Sequence, residues 1–197
     1  MSLLFDPGQI GNIQLKNRLV RSPTGDGGMA SVDGKCTDML IGFYRELVDG
    51  GVGLIITGGA FIHRIDRTPY NIWFDNDEAI DSFIRFTDEI HAADGKVVIQ
   101  LASMGREIPE LGDESEGPIG PSPVKVEYTG LTPREMTEED IQEFISAFSH
   151  AAFRAKEVGF DGIEFHACHG SFLHSFLSPY TNRRKDKWGG PLMITPS

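Results

Sequence analysis

The sequence has few cysteines and few basic residues. Cys36 and Cys168 are too few and too far apart for a disulfide framework or a four-thiolate metal site, which favours a reducing, cytoplasmic environment. Eighteen Lys and Arg residues against 29 Asp and Glu give a formal charge of −11. Because nucleic acid and anionic membranes attract basic surfaces, this balance argues against either as a general partner. Any anionic ligand therefore needs a local site.

Long apolar runs are also missing. Near the N-terminus, Asp6, Pro7 and Gly8 interrupt the hydrophobic residues almost at once, which is not typical of a signal peptide. The uncharged stretch 50–62 is shorter than the ~20 residues that a membrane helix needs. The longer stretch 165–182 contains three histidines and Pro179, so it is too polar for lipid. We predict no membrane span and a cytoplasmic location.

Short apolar runs alternate with amphipathic segments along the chain. After an N-terminal hairpin, the alternation predicts strands over 19–23, 53–57, 97–101 and 162–166. Helices are predicted between them: one after the N-cap Thr37 and ending at Gly50, one over 77–93, and one after the N-cap Thr137 and ending at Gly159. This order is typical of right-handed parallel βαβ units, so we predict an α/β fold.

Two parallel architectures fit that order, an open doubly wound sheet and a TIM (β/α)8 barrel. A dinucleotide-binding sheet would carry its glycine-rich turn after a strand, whereas Gly50, Gly51 and Gly53 precede one. Polar or small residues instead follow all four predicted strands, where a barrel builds its active site. The sequence therefore favours a barrel whose candidate site residues are Pro23, Thr24, Gly59, Ala60, Gln100, His166 and His169.

The sharpest chemical signal is the histidine pair in HACHG, His166 and His169. Two neutral imidazoles at one strand end can each donate an N–H to a carbonyl oxygen, which would activate an α,β-unsaturated carbonyl toward hydride. From the residues alone, a structural role is as plausible as ligand binding. A metal site that includes Cys168 is less plausible, because three candidate ligands within four residues of extended chain are not expected to converge. We therefore assign no metal.

Five segments, in order along the chain, resemble the Old Yellow Enzyme family of FMN-dependent oxidoreductases. They are LLFDPGQIGNIQLKNRLVRSPT, GGVGLIITGGAFI, KVVIQLASMGR, PREMTEEDI and GFDGIEFHACHGSFLHSFLSPYTNRRKDKWGG. The resemblance implies a TIM barrel that holds FMN and uses NADH or NADPH as hydride donor. It also implies transfer of that hydride, through the flavin, to a small-molecule substrate such as an activated alkene or a related acceptor.

The resemblance also implies residue roles. His166 and His169 match the His-x-x-His or His-x-x-Asn pair that binds the substrate oxygen, and Gln100 matches the amide that hydrogen-bonds the pyrimidine edge of the flavin. The flavin is further expected to contact the ends of the first two strands, at Pro23, Thr24, Gly59 and Ala60. Simpler alternatives remain open at this point: a backbone hydrogen bond for Gln100, a plain turn for the glycines, and a one-residue shift in register after Pro23.

Other polar residues have more local interpretations. Arg106 either faces the substrate or pairs with an acid on its loop, and the second is favoured; Arg134 is expected to fix the loop before the third helix. Glu164 shares the strand phase of His166 and should find a cationic partner. Ser171 stands where the family usually has the proton-donating tyrosine. Either water or Tyr128 is therefore expected to deliver the proton, or the reaction is not ordinary alkene reduction.

Length limits these expectations. A complete barrel needs ~250 residues and eight strands, so residues 1–190 are interpreted as the first four βα units and residues 191–197, with Pro191 and Pro196, as an aberrant tail. The basic residue and phosphate-binding loops of the second half would be missing. The alternative to an active enzyme is therefore a non-catalytic half-barrel that binds FMN weakly or not at all. We expect helices or a second copy of the chain to cover its open sheet edges.

Overall fold

A computed structural model describes residues 3–108 and 117–190. Its centre is a parallel sheet in which four strands pair in chain order. They are β3 (Val20–Arg21), β4 (Leu54–Phe61), β6 (Val97–Ala102) and β9 (Gly162–Phe165). A two-residue strand, β5 (Ile72–Trp73), pairs in parallel with the end of β4. The parallel α/β class is confirmed.

Three helices connect the main strands: α1 (Asp38–Asp49), α2 (Ile80–Ala92) and α3 (Glu138–Glu157). Thr37 caps α1 by accepting a hydrogen bond from the Leu40 N–H. Thr137 and Asp140 form a reciprocal capping box on α3, which satisfies two N–H groups at the start of the helix. A short helix after β9, α4 (Phe172–Leu177), was not predicted.

The helices pack on one face of the sheet, and that face forms the main core. Ile55, Ile99 and Leu101 project from the strands into an aromatic layer that includes Phe83, Phe86 and Phe144. On the other face, the described part of the chain forms a small buried cluster at the start of the strands, where Leu54 and Val98 pack with Leu15. Leu15 belongs to the antiparallel hairpin of β1 (Gly8–Ile10) and β2 (Ile13–Leu15). The opposite end of this inner face is therefore available for a binding site.

The described residues between β6 and α3 contain little regular structure. Within its described residues, β7 (Ile119–Gly120) pairs with β8 (Arg134–Glu135). Residues 109–116 and 191–197 lie outside the described part of the chain, and with them the predicted aberrant tail. Among the described residues, no helix has both the length and the apolar character needed to cross a bilayer.

The main strands begin and end close to the predicted positions, with one difference of consequence. β4 continues through Gly58 and Gly59 to Phe61 instead of stopping at the glycines. It can continue because its last residues pair with β6 on one side and β5 on the other. Gly58 and Gly59 therefore lie within the sheet and not in a turn. The end of β4 is held by strand pairing where it borders the site.

The described sheet ends in β3 on one side and β9 on the other. Val20, Ile163 and Phe165 are exposed along these two strands. Unpaired strand edges with apolar side chains favour pairing with further strands. A sheet of four main parallel strands with helices on one face fits a partial barrel. That a second copy of the chain covers the edges of this sheet stays a prediction.

Gly53, which immediately precedes β4, packs closely against Asn17 in the segment that precedes β3. A Cβ at this position would lie 2.5 Å from the backbone oxygen of Asn17. We expect Gly53→Ala to lower the free energy of unfolding by about 1–3 kcal/mol through overpacking. Gly42→Ala is the control, since Gly42 lies on the exposed side of α1 and a Cβ there would have no other atom within 4 Å; it should stabilise by about 0.5–1 kcal/mol. Equal changes in the free energy of unfolding for the two variants, measured by urea denaturation, would contradict this assignment.

Candidate active site

A transverse row of residues crosses three neighbouring strands at the open end of the inner face. Gly59 of β4 pairs with Gln100 of β6, and Gln100 pairs with Glu164 of β9. Two residues further along, Phe61 pairs with Ala102. These residues line one cleft of about 410 Å³, together with Pro23, Thr24, Gly25, Asn71, Met104, His166, Cys168 and His169. Six of the seven predicted site residues therefore meet in a single cleft.

Ala60 is the exception, because it does not line the cleft. Its side chain is fully buried in the core on the helix-covered face. The pairing of β4 with β6 is irregular between Ile56 and Gly59, and the Thr57 hydroxyl accepts the Gln100 N–H at 3.1 Å within this break. The irregularity reverses which residues of β4 face the cleft. Gly59 and Phe61 consequently face inward, and Ala60 faces outward.

The buried amide of Gln100 and the carboxylate of Glu164 form the polar floor of the cleft. The Gln100 amide donates a hydrogen bond to Glu164 Oε1 at 2.7 Å. The expected cationic partner of Glu164 is thus replaced by a neutral amide from the neighbouring strand. Because this bond uses one N–H of the Gln100 amide, the amide oxygen and the remaining N–H are left to bind a ligand.

The loop with Pro23 and Thr24 is held in place by a buried polar network. The Tyr44 hydroxyl donates a hydrogen bond to Asp26 and accepts one from the Gly58 N–H at 2.9 Å. Arg21 donates to the Ile56 carbonyl at 3.1 Å. Burial raises the pKa of Asp26, although its bond with Tyr44 and the charge of Arg21 oppose this shift. The network ties the loop to the irregular part of β4, so the two flanks of the cleft are fixed together.

The histidine pair follows β9 at the rim of the cleft. The His166 N–H continues the strand ladder by donating to the Leu101 carbonyl at 2.9 Å, and His169 then takes a left-handed conformation with φ 57°. This turn brings Cys168 Sγ to 3.5 Å from both His166 Nε2 and His169 Nδ1. The expectation that the three groups do not converge is therefore wrong, because the chain does not stay extended through His169.

Burial lowers the pKa of His166, and the neighbouring His169 lowers it further. A lowered pKa favours the neutral imidazole, which carries one N–H and one lone pair. Nδ1 of His166 is buried without a hydrogen-bond partner among the described residues. The ring is therefore held at the cleft by packing and by its Nε2 contact with Cys168.

Two of the local predictions are confirmed. Arg106 is buried, forms an ion pair with Glu107 at 3.3 Å and donates to the Val124 carbonyl at 2.9 Å, so it fixes its loop and does not line the cleft. Arg134 forms hydrogen bonds to both carboxylate oxygens of Asp140, at 2.6 and 3.1 Å, which ties the preceding loop to the capping box of α3.

The two hydroxyl groups considered for proton delivery do not line the cleft. The Tyr128 hydroxyl donates a hydrogen bond to Glu107 Oε2 at 3.1 Å. Partial burial raises the pKa of Tyr128, and this hydrogen bond raises it further. Ser171 is buried at the start of α4. Water thus remains the simplest proton source of those predicted.

Sequence reasoning did not identify several of the cleft residues. Phe61 and Ala102 could have been found, since each lies two residues beyond a predicted site residue on the same strand. Asn71 and Met104 lie on connections between elements, and no pattern in the sequence marks them. Cys168 was noticed, but its position depends on the turn at His169.

Comparison with known proteins gives a consistent result. Residues 3–193 match the model of the NADH:flavin oxidoreductase / NADH oxidase family. The chain is 42% identical over 192 residues to a metal reductase of Desulforamulus reducens and 38% identical over 192 residues to an NADPH dehydrogenase of Listeria monocytogenes. The crystal structure of Old Yellow Enzyme from Pichia sp. AKU4542 superposes with a TM-score of 0.86 at 29% identity. These matches confirm the resemblance and the barrel-type fold.

The matches cover nearly all of this chain but only part of each relative. They include 98% of this chain and 28% of the metal reductase, 97% and 56% for the NADPH dehydrogenase, and 95% and 52% for the Old Yellow Enzyme structure. The chain thus spans about half of two of these proteins and less of the third. FMN and NADH or NADPH, the expected cofactors, are those of the matched family.

Removal of the Tyr44 hydroxyl should loosen the wall of the cleft. Tyr44→Phe leaves Asp26 and the Gly58 N–H without their shared partner in a buried setting, and each such loss costs about 1–3 kcal/mol. We expect a fall of that order in the free energy of unfolding, measured by urea denaturation. Tyr70→Phe, at an exposed position, is the control; an equal loss there would contradict the assigned role of the network.

Asp66 should make stability depend on pH. Its carboxylate accepts the N–H of the cleft residue Met104 at 2.7 Å, and burial raises its pKa from 3.8 to about 7. Between these two pH values Asp66 has lost its proton in the unfolded state but keeps it in the folded state. The free energy of unfolding should therefore fall as pH rises from about 4 to about 7 and level off above. Asp66→Asn should reduce this loss, which is on the order of a few kcal/mol at ~1.4 kcal/mol per pKa unit. Asp88→Asn, exposed on α2, should preserve it; parallel curves for wild type and Asp66→Asn would contradict the assignment.

Proposed function

Because the chain belongs to the NADH:flavin oxidoreductase / NADH oxidase family, we propose that it forms part of the active site of an FMN-dependent oxidoreductase. The hydride would come from NADH or NADPH and pass, through the flavin, to an activated alkene such as an α,β-unsaturated carbonyl. The observation that carries this proposal is the convergence of Gly59, Gln100 and the histidine pair on one cleft.

The cleft suits a flat aromatic ring. A Cβ at Gly59 would lie 3.3 Å from Ala102 Cβ and 3.7 Å from Gln100 Oε1, so the glycine leaves this part of the floor free for a planar group. Gln100 offers both a donor and an acceptor beside it, which suits the mixed donors and acceptors of the flavin pyrimidine edge. The described residues that line the cleft include neither Lys nor Arg, so they would hold the ring of FMN and not its phosphate.

The bound flavin would supply hydride chemistry that protein side chains do not possess. The residues of this chain would position and activate the acceptor. N–H groups of His166 and His169 would donate to its carbonyl oxygen, which withdraws electron density from the conjugated alkene and makes its β-carbon a better hydride acceptor. A water molecule would give the α-carbon its proton, since neither Tyr128 nor Ser171 lines the cleft.

The chain itself should bind FMN weakly, because its part of the site lacks a phosphate anchor. We expect quenching of flavin fluorescence on titration of the 197-residue chain, with loss of the flavin on dialysis. Gln100→Leu, which keeps approximate size but removes the amide, should weaken binding about tenfold, in keeping with the loss of a buried hydrogen bond. If the wild-type chain does not quench FMN fluorescence at any concentration, the non-catalytic alternative is supported and the proposed ring site is wrong.

The histidine pair is tested by activity with excess FMN. We expect NADPH-dependent reduction of 2-cyclohexenone, and a fall of about 10²–10³ in kcat/KM for His166→Ala or His169→Ala as a carbonyl-binding donor is lost. His150→Ala is the control, since His150 is exposed on α3 and lies outside the cleft. Equal rates in all three variants would contradict the assigned role.

A cytoplasmic location and pairing with a second copy remain part of the proposal.

A further inference from the structure

The histidine pair at the rim of the cleft has a third neighbour, Cys168, to which the proposed function assigns no role. His166, Cys168 and His169 bring two imidazole nitrogens and one thiol sulfur together, with all three atoms within 4.8 Å of one another. We propose that His166 Nε2, Cys168 Sγ and His169 Nδ1 bind one divalent cation of the zinc class.

The observed distances agree with those of a tetrahedral site. With Zn–S near 2.3 Å and Zn–N near 2.0–2.1 Å, a sulfur and a nitrogen on one tetrahedral ion lie about 3.6 Å apart. Cys168 Sγ lies 3.5 Å from His166 Nε2 and 3.5 Å from His169 Nδ1. The two nitrogens lie within 4.8 Å of each other, against about 3.3 Å on one tetrahedral ion, so the imidazole rings must move together by about 1.5 Å at most to share it.

The ligand types select the metal. A thiolate with two imidazoles favours borderline and soft ions such as Zn²⁺ over Mg²⁺ or Ca²⁺, which prefer oxygen. Three protein ligands leave a fourth position for water or another ligand, and because Cys168 and His169 are exposed, an ion can enter from solvent. Binding requires only that the thiol lose its proton to solvent as the Zn–S bond forms.

Metal and substrate would exclude one another at this site. A carbonyl oxygen needs an N–H on the imidazole nitrogens that face it, whereas a metal ion needs the lone pair of its nitrogen ligand. This exclusion rests on the proposed function, but the metal site itself does not. Zinc binding measured without NADPH or alkene therefore distinguishes failure of the metal site from failure of the proposed reaction.

The test uses the full chain and Zn²⁺ alone. Titration calorimetry should give one Zn²⁺ per chain, and X-ray absorption at the zinc edge should show one sulfur near 2.3 Å with two imidazole nitrogens. Cys168→Ser should abolish the sulfur signal and weaken binding by at least about tenfold, since losing a ligand costs no less than losing a supporting partner. His169→Ala should remove one nitrogen and weaken binding likewise.

Cys36→Ser is the matched control, because Cys36 is the other free cysteine and lies outside the cleft. This variant should keep both the stoichiometry and the sulfur signal. A zinc shell of oxygen and nitrogen alone in the wild type would overturn the proposal, as would a sulfur signal that persists in Cys168→Ser. Circular dichroism on each variant separates loss of ligand from loss of fold.

Discussion

The site depends on the parallel register of three strands. The pairing that aligns Gly59 with Gln100 and Gln100 with Glu164 places residues more than 100 positions apart in one row. In parallel strands such a row lies at the same level above the sheet, so the groups that follow each strand meet at one end. A slip of one residue in β6 would exchange its inward and outward side chains and remove Gln100 from the cleft.

Much of the fold could be predicted from the sequence because its signals are local. Thr137 and Asp140 mark the start of α3, and the continuous apolar run at the start of β4 is typical of a buried parallel strand. The alternation of such elements determines the parallel order without any knowledge of contacts. The meeting of Gln100 with the histidine pair follows from this order, since the strand ends must lie at the same edge.

The features that could not be predicted depend on small departures from regular geometry. Ala60 was placed beside the flavin as a small residue at a strand end, but the irregularity beside Thr57 turns its side chain to the opposite face. Glu164 was expected to need a cation, but the partner that the register provides is the amide of Gln100. In each case the deciding contact comes from a residue on another strand, so no local pattern could reveal it.

The left-handed backbone at His169 has a consequence for the residue types that this position accepts. Glycine, asparagine, aspartate and histidine enter that conformation more readily than other residues. Of these four, only asparagine and neutral histidine also have a side-chain N–H to offer an oxygen. The main-chain conformation thus restricts which residue types suit this position before any chemistry is considered, and histidine satisfies both the conformational and the hydrogen-bonding requirement.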